Sequence, residues 1–171
     1  MMRAKRILIY IMVFSLFGCG YQLIGTGKSK LPTHIKTISI PTFVNKTREP
    51  GIEIEITRII RDTFIRDGRL KIVSSGSADS LLSGELRNYN LRPISFDTND
   101  RVTEYRVLIH NEIIFKDLIA DKVILKQSLT ADETYKVTTV IASREATEKE
   151  TRRKAFVELA EMLRSLVFEG F

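Results

Sequence analysis

Glu104-Tyr105-Arg106-Val107-Leu108-Ile109-His110-Asn111-Glu112-Ile113-Ile114-Phe115-Lys116-Asp117-Leu118-Ile119 is the stretch that decides the fold. Tyr105, Val107, Ile109, Ile113, Phe115 and Ile119 occupy odd positions, whereas Arg106, His110, Glu112 and Lys116 occupy even ones. Successive side chains of an extended chain point to opposite faces of a sheet, so this alternation predicts a long strand with one buried face. Downstream, Ala120-Asp121-Lys122 is short enough for a hairpin turn into a strand over Val123 to Leu129, and strand character resumes around Tyr135 to Ile141. Upstream, Ala78 to Ile94 reads as a second long strand with a bulge near Asn88, followed by the polar, turn-like segment Phe96 to Arg101.

Moving outward, the period changes. Ile52, Ile54 and Ile56 alternate as a strand would, yet Ile52, Ile56, Ile59, Ile60 and Phe64 share one helical face, with Arg58, Arg61, Asp62 and Arg66 mostly on the other. The length favours a helix, which Asp67-Gly68 stops. A second helix is expected from Thr147: Thr147 and Glu150 have capping-box spacing, and Ala155, Leu159, Met162, Leu163, Leu166 and Val167 form an apolar stripe. His34 to Val44 is a first strand, Leu70 to Val73 a short one, and Asn45 to Gly51 a loop rich in turn formers. Two amphipathic helices must bury their stripes, and one face of a sheet can take both. The expected fold is therefore α+β, with both helices packed on one face of a mixed, mainly antiparallel β-sheet.

The N-terminus has a different character. Met1 to Arg6 is short and basic, and Ile7 to Phe17 is apolar apart from Ser15. This run is shorter than the roughly 20 residues a membrane-spanning helix needs, and it has the length and flank of a signal-peptide core. Leu16-Phe17-Gly18-Cys19 resembles the lipobox of bacterial lipoproteins, in which cleavage between Gly18 and Cys19 precedes acylation of the cysteine. Phe17 is bulkier than the Ala or Ser usual at its position. Cys19 is the only cysteine in the 171 residues, so no intramolecular disulfide competes for it. Several acyl chains at about 0.8 kcal/mol per buried methylene would make a lasting anchor. Gly20 stands where an Asp would retain a lipoprotein in the inner membrane, which favours the outer one. The expected division is a signal peptide over residues 1–18, a lipidated tether over 19–33 and a single domain over 34–171.

Charge and chemistry narrow the function. The formal charge is +6, and without Arg3, Lys5 and Arg6 it is +3, with no block of like charge and no nucleic-acid signature. No second apolar run approaches membrane-spanning length, so the body is expected to be soluble and held by lipid alone. The two histidines, His34 and His110, lack a second ligand at metal spacing. No nucleophile elbow or phosphate-cradling glycine loop occurs, and Asp97, Asp100, Asp132 and Glu133 are paired only in sequence. Neither an enzyme, nor a metal site, nor a cofactor is expected.

Five segments in order carry a family resemblance. They are Cys19-Gly20-Tyr21-Gln22-Leu23, Val44-Asn45-Lys46-Thr47, Arg66-Asp67-Gly68-Arg69-Leu70, Ala78-Asp79-Ser80-Leu81-Leu82-Ser83-Gly84-Glu85-Leu86 and Val102-Thr103-Glu104-Tyr105-Arg106. Together they resemble LptE, the lipoprotein family of lipopolysaccharide (LPS) assembly. The resemblance implies two helices on a sheet, lipid anchoring on the periplasmic side of the outer membrane, and partnership with the LptD β-barrel, whose lumen LptE plugs. It also implies LPS contact by basic residues near the loop before the Glu-Tyr strand and near the start of the last helix, which by position are Arg101 and Arg144. The alternative is a structural envelope lipoprotein or pilotin-like chaperone that docks another outer-membrane protein without touching LPS. If Cys19 carries the anchor, Cys19→Ala should abolish both fatty-acid labelling and cleavage. Processing and labelling that persist in the variant would refute this.

Overall fold

A computed structural model of the chain describes residues 31–137 and 141–170, with side chains described from residue 145 onward in the second segment. The expected signal peptide over residues 1–18 and the expected lipidation site at Cys19 therefore lie outside the described residues. The strands are β1 (Thr37–Ser39), β2 (Val44–Asn45), β3 (Lys71–Ile72), β4 (Ser80–Phe96), β5 (Val102–Asp117) and β6 (Lys122–Lys136), and the helices are α1 (Ile52–Asp67) and α2 (Ile141–Glu169). The six strands form one mixed sheet in the order β3-β1-β4-β5-β6, with β2 also on β4. The pairs β1–β3, β1–β4 and β2–β4 are parallel, and the long pairs β4–β5 and β5–β6 are antiparallel. The expected α+β architecture is the observed one.

Alternation along β5 buries Val107, Ile109, Asn111, Ile113, Phe115 and Asp117. Cross-strand register extends this face: Leu82, Phe115 and Leu125 lie side by side, as do Leu86, Asn111 and Leu129. The register shift between Leu86 and Asn88 is the expected bulge, with Arg87 the extra residue. Ile119 departs from the expected pattern. The strand ends at Asp117, and Ile119 is carried out into the turn, 61% exposed.

The ambiguous isoleucines at the start of α1 resolve as helix. Ile52, Ile56, Ile59, Ile60 and Phe64 are buried, and Ile54 points outward. Gly51 and Gly68 bracket the helix in left-handed conformations (φ 83° and 74°), and the Gly68 N–H donates to the Phe64 carbonyl at 3.1 Å. Only glycine adopts such a backbone without penalty, which makes it the usual stop for a helix. Helix α2 lies beside α1 in the same direction: Arg152 pairs with Glu55 at 3.2 Å, Arg164 with Asp67 at 3.4 Å, and the Phe64 and Phe168 rings are 5.7 Å apart.

The single strand expected over His34 to Val44 is split into β1 and β2, because the chain leaves the sheet between Ser39 and Val44. Two later boundaries also differ from the sequence expectation. Strand β6 does not pause after Leu129 but continues to Lys136, pairing Ala131 with Ile109 and Glu133 with Val107. The polar run Thr130 to Thr134 hides the alternation, because its inward positions are the small Ala131 and the rim residue Glu133. Tertiary pairing with β5 overrides that weak local pattern. Helix α2 begins at Ile141, so Ile141 is helical and not the end of a strand. Thr147 is an interior residue and not an N-cap; its carbonyl accepts a hydrogen bond from Thr151 Oγ1 at 2.8 Å.

Between β1 and β2 the chain leaves the sheet, and α1 holds the excursion. Thr57 Oγ1 accepts the Phe43 N–H at 3.0 Å, while Arg61 Nε donates to the Ile40 carbonyl at 2.8 Å. The Phe43 ring lies directly over Gly84 of β4, where a Cβ would overlap ring atoms. Gly84→Val should therefore cost on the order of 1–3 kcal/mol through overpacking. At Gly76 nothing lies within 4 Å of an added Cβ, so Gly76→Ala should stay within about 0.5 kcal/mol. Denaturant melts of both variants check the contrast; equal stability would show that the Phe43 ring yields freely.

Candidate functional site

Strand β4, with 17 residues, spans about 55 Å at roughly 3.3 Å per residue. Helix α1, with 16 residues, covers only about 24 Å at 1.5 Å per residue. The far part of the β4–β5 hairpin therefore runs past α1. From Leu91 onward β4 is largely exposed, with Leu91, Ile94 and Phe96 among the large apolar side chains open to solvent.

The hairpin tip is built on Asp97. Its Oδ1 accepts the N–H groups of Asn99 at 2.8 Å and Arg101 at 2.9 Å, and its own N–H donates to the Arg101 carbonyl at 2.9 Å. Asp100 takes the left-handed conformation that the turn requires (φ 59°). Arg101 thus has a fixed backbone and an exposed side chain, and among the described residues no acid pairs with it. The register also sets Arg92 directly opposite Arg106. Sequence reasoning missed this pair of like charges, although their equal distance from Asn99 signals it. Arg106 is partly neutralised by Asp132 at 3.6 Å, and Glu104 Oε2 accepts the Ser95 hydroxyl at 3.2 Å.

The start of α2 belongs to the same end of the molecule. The Val137 N–H donates to the Thr103 carbonyl at 2.8 Å, and α2 begins four residues later. Arg144 lies in its first turns, one turn before Glu148, and its side chain is outside the described residues. Backbone topology thus brings the regions of Arg101 and Arg144 to one end of the sheet. Below them, the Tyr89 hydroxyl donates to Glu148 Oε1 at 3.0 Å, and the Arg152 guanidinium lies 5.9 Å from the Tyr89 ring centroid. Burial, reinforced by the Glu148 carboxylate, pushes the Tyr89 hydroxyl well above its ordinary pKa, so it remains a donor. This junction ties β4 to α2, and through Arg152 and Glu55 to α1.

The sheet face opposite the helices is polar and uncovered in the described chain. Arg87, displaced by the bulge, reaches Glu85 at 2.9 Å and Glu112 at 2.7 Å, and its hydrogen bond holds the Glu112 carboxyl below the usual range. His110 bonds Thr130 at 2.8 Å and Ser128 at 3.0 Å, the role of a strand-surface residue. His34 meets Asp117 Oδ2 at 2.6 Å. A groove of about 730 Å³ crosses this face, lined by Val44, Ser83, Arg87, Glu112, Ile114 and Lys126. Among the described residues no group of three His, Cys, Asp or Glu side chains is placed to hold a metal ion, and no helix is long and apolar enough to cross a membrane.

Comparison with known proteins bears on both fold and family. Three solved structures share the fold at low sequence identity. Rare lipoprotein B from Shewanella oneidensis is 16% identical with a TM-score of 0.51, over 72% of this chain and 92% of that one. A minor lipoprotein from Acinetobacter baumannii is 14% identical with a TM-score of 0.54, over 80% and 92%. A lipoprotein from Caulobacter crescentus is 12% identical with a TM-score of 0.54, over 74% and 87%. No curated protein sequence matches the chain. The family model described as LptE, lipopolysaccharide-assembly, matches residues 35–166, from the approach to β1 through most of α2. With that match over most of its length, the chain belongs to the LptE family of lipopolysaccharide assembly.

Proposed function

We propose that this protein is an outer-membrane lipoprotein, cleaved after Gly18 and acylated on Cys19. In this reading it lies on the periplasmic side, plugs the lumen of an LptD β-barrel and binds LPS during its assembly into the membrane. The family match over residues 35–166 carries the reading. Its role is non-catalytic: binding and positioning of a partner and a lipid. The shape is compatible with a plug, because a hairpin that outruns α1 can reach along a barrel axis while the polar sheet face, with Arg87, Glu112 and Lys126, meets a polar lumen wall.

LPS would be met at the hairpin end. Lipid A combines phosphates with acyl chains, and that end combines arginines with exposed apolar side chains. Arginine suits phosphate because its planar fork donates two parallel hydrogen bonds. Arg101 and Arg144 are the proposed contacts, and Arg92 joins them from the register described above. Net charge is too small to discriminate, so recognition depends on this local cluster.

Partnership is tested by limited proteolysis of the native lipoprotein in mild detergent. With LptD present, the domain should be strongly shielded. Equal sensitivity with and without LptD would favour a chaperone of another outer-membrane protein. For LPS, Arg101→Asp combined with Arg144→Asp should weaken binding several-fold, more clearly at low salt, with an unchanged thermal melt. Exposed substitutions such as Arg101→Asp usually alter stability by within about 0.5 kcal/mol, and the unchanged melt of the double variant separates lost binding from unfolding. Undiminished LPS binding would remove these arginines from the site.

A further inference from the structure

The end of the domain opposite the LPS-contact hairpin carries its own apolar tip. At the β5–β6 turn, Ile119 is 61% exposed, Val123 49% and Ile124 40%. Solvent-facing isoleucine at the point of a tight turn contributes nothing to the core. The turn is nevertheless held firmly. Asp117, buried at the end of β5, accepts the N–H groups of Ile119 and Ala120 on Oδ1, each at 2.9 Å, and bonds His34 through Oδ2 at 2.6 Å. The Leu118 N–H donates to the Asp79 carbonyl at 2.8 Å, and Asp121 adopts a left-handed conformation (φ 52°). A pre-organised tip loses little freedom when it is buried by something else.

Two further observations say what covers it. The first is where the chain enters the domain. Leu31 lines a cavity of about 100 Å³ together with Ile124, Leu125, Leu166 and Val167. The segment leading to Cys19 therefore joins the body beside this turn and far from the β4–β5 hairpin. The second is charge. The strand starts at this end present exposed Lys36, Lys71 and Lys122. The nearby carboxylates are engaged: Asp79 accepts the Lys36 and Thr37 N–H groups, Asp117 is buried, and Asp121 pairs with Lys116. An apolar turn at an end of the sheet whose strand starts carry exposed lysines suits the interface of a bilayer with anionic headgroups. It is small for a protein contact, since stable partners bury about 800 Å² on each side.

We propose that the β5–β6 turn is a second membrane contact, seating Ile119 and Val123 among the headgroups of the bilayer that holds the acylated Cys19. This rests on the lipoprotein reading above. The consequence is orientational: in the bilayer, before a barrel takes it up, the domain stands on this end, with the Asp97–Arg101 tip directed away from the headgroups.

The test uses the full acylated chain in vesicles of phosphatidylethanolamine with phosphatidylglycerol. Acylation consumes the Cys19 thiol, so an introduced cysteine is the only one open to labelling. An environment-sensitive fluorophore on Ile119→Cys should shift to the blue and be quenched by doxyl-labelled lipid several-fold more than the same label on Asn99→Cys at the opposite tip. Val123→Cys should repeat the result should the label at position 119 disturb the turn. Equal quenching at positions 119, 123 and 99, in protein shown to carry fatty acid, would overturn the proposal and leave the anchor reading intact. Shielding of position 119 only after a barrel protein is added would overturn it in favour of a protein contact. Absence of fatty acid from Cys19 would overturn the anchor reading and this proposal together.

Discussion

The contact between the Phe43 ring and the bare Cα of Gly84 is the constraint on which the rest of the structure depends. Strands β1 and β2 share one edge of β4, pairing with Ser80–Leu81 and with Glu85–Leu86 respectively, and the chain between them must leave the sheet and return. The excursion turns inward, so its aromatic side chain needs room on the buried face. A side chain at residue 84 would deny that room, and an exposed excursion would leave the Ile40 carbonyl and the Phe43 N–H without their partners on α1. With Phe43 seated, Thr57 and Arg61 are fixed, and with them the lie of α1 on the sheet. Helix α2 then takes the remaining surface over β5 and β6.

The second organising fact is unequal length. A long two-strand arm is covered by helices over part of its extent only, so burial along β4 fades after the bulge at Arg87. Inside the covered part, alternation is strict and the interior is aliphatic and aromatic, with Phe43, Phe64, Phe115, Phe156 and Phe168 buried. Outside it, the same ladder continues on hydrogen bonds, with the Tyr89–Glu148 and Arg152–Glu55 contacts marking the border. The molecule therefore has two chemically distinct ends, and for a member of a lipopolysaccharide-assembly family that separation is useful. One end can be committed to holding the domain in place while the other is free to meet a lipid.

Much of this was legible in the sequence because period and length carry it. The alternation around Ile109 and Ile113 defined β5, and the five apolar positions on one face from Ile52 to Phe64 settled α1 as a helix. The failures share a cause. Thr130 to Thr134 and the start of α2 lack a strong apolar period, and for the first the decision belongs to a partner remote in sequence, β5. The end of β5 was misplaced because Ile119 keeps the alternation going after Asp117 has already turned the chain. Arg101 was locatable as a loop cation from the polar Phe96–Arg101 segment alone. The opposition of Arg92 and Arg106 required a register, which composition does not contain.

The parallel pairings also govern the order in which the fold can assemble. Ser80 Oγ donates to the Thr37 carbonyl across 43 residues, whereas β4, β5 and β6 meet through short turns. Synthesis and export deliver the N-terminal residues first, yet β2 pairs only with β4, and β1 has only β3 available to it until Ser80 to Leu86 arrives. Closing so large a loop costs entropy before any contact rewards it, whereas the hairpins close locally and quickly. The meander is thus the natural template, and the oldest part of the chain is the last to find its place.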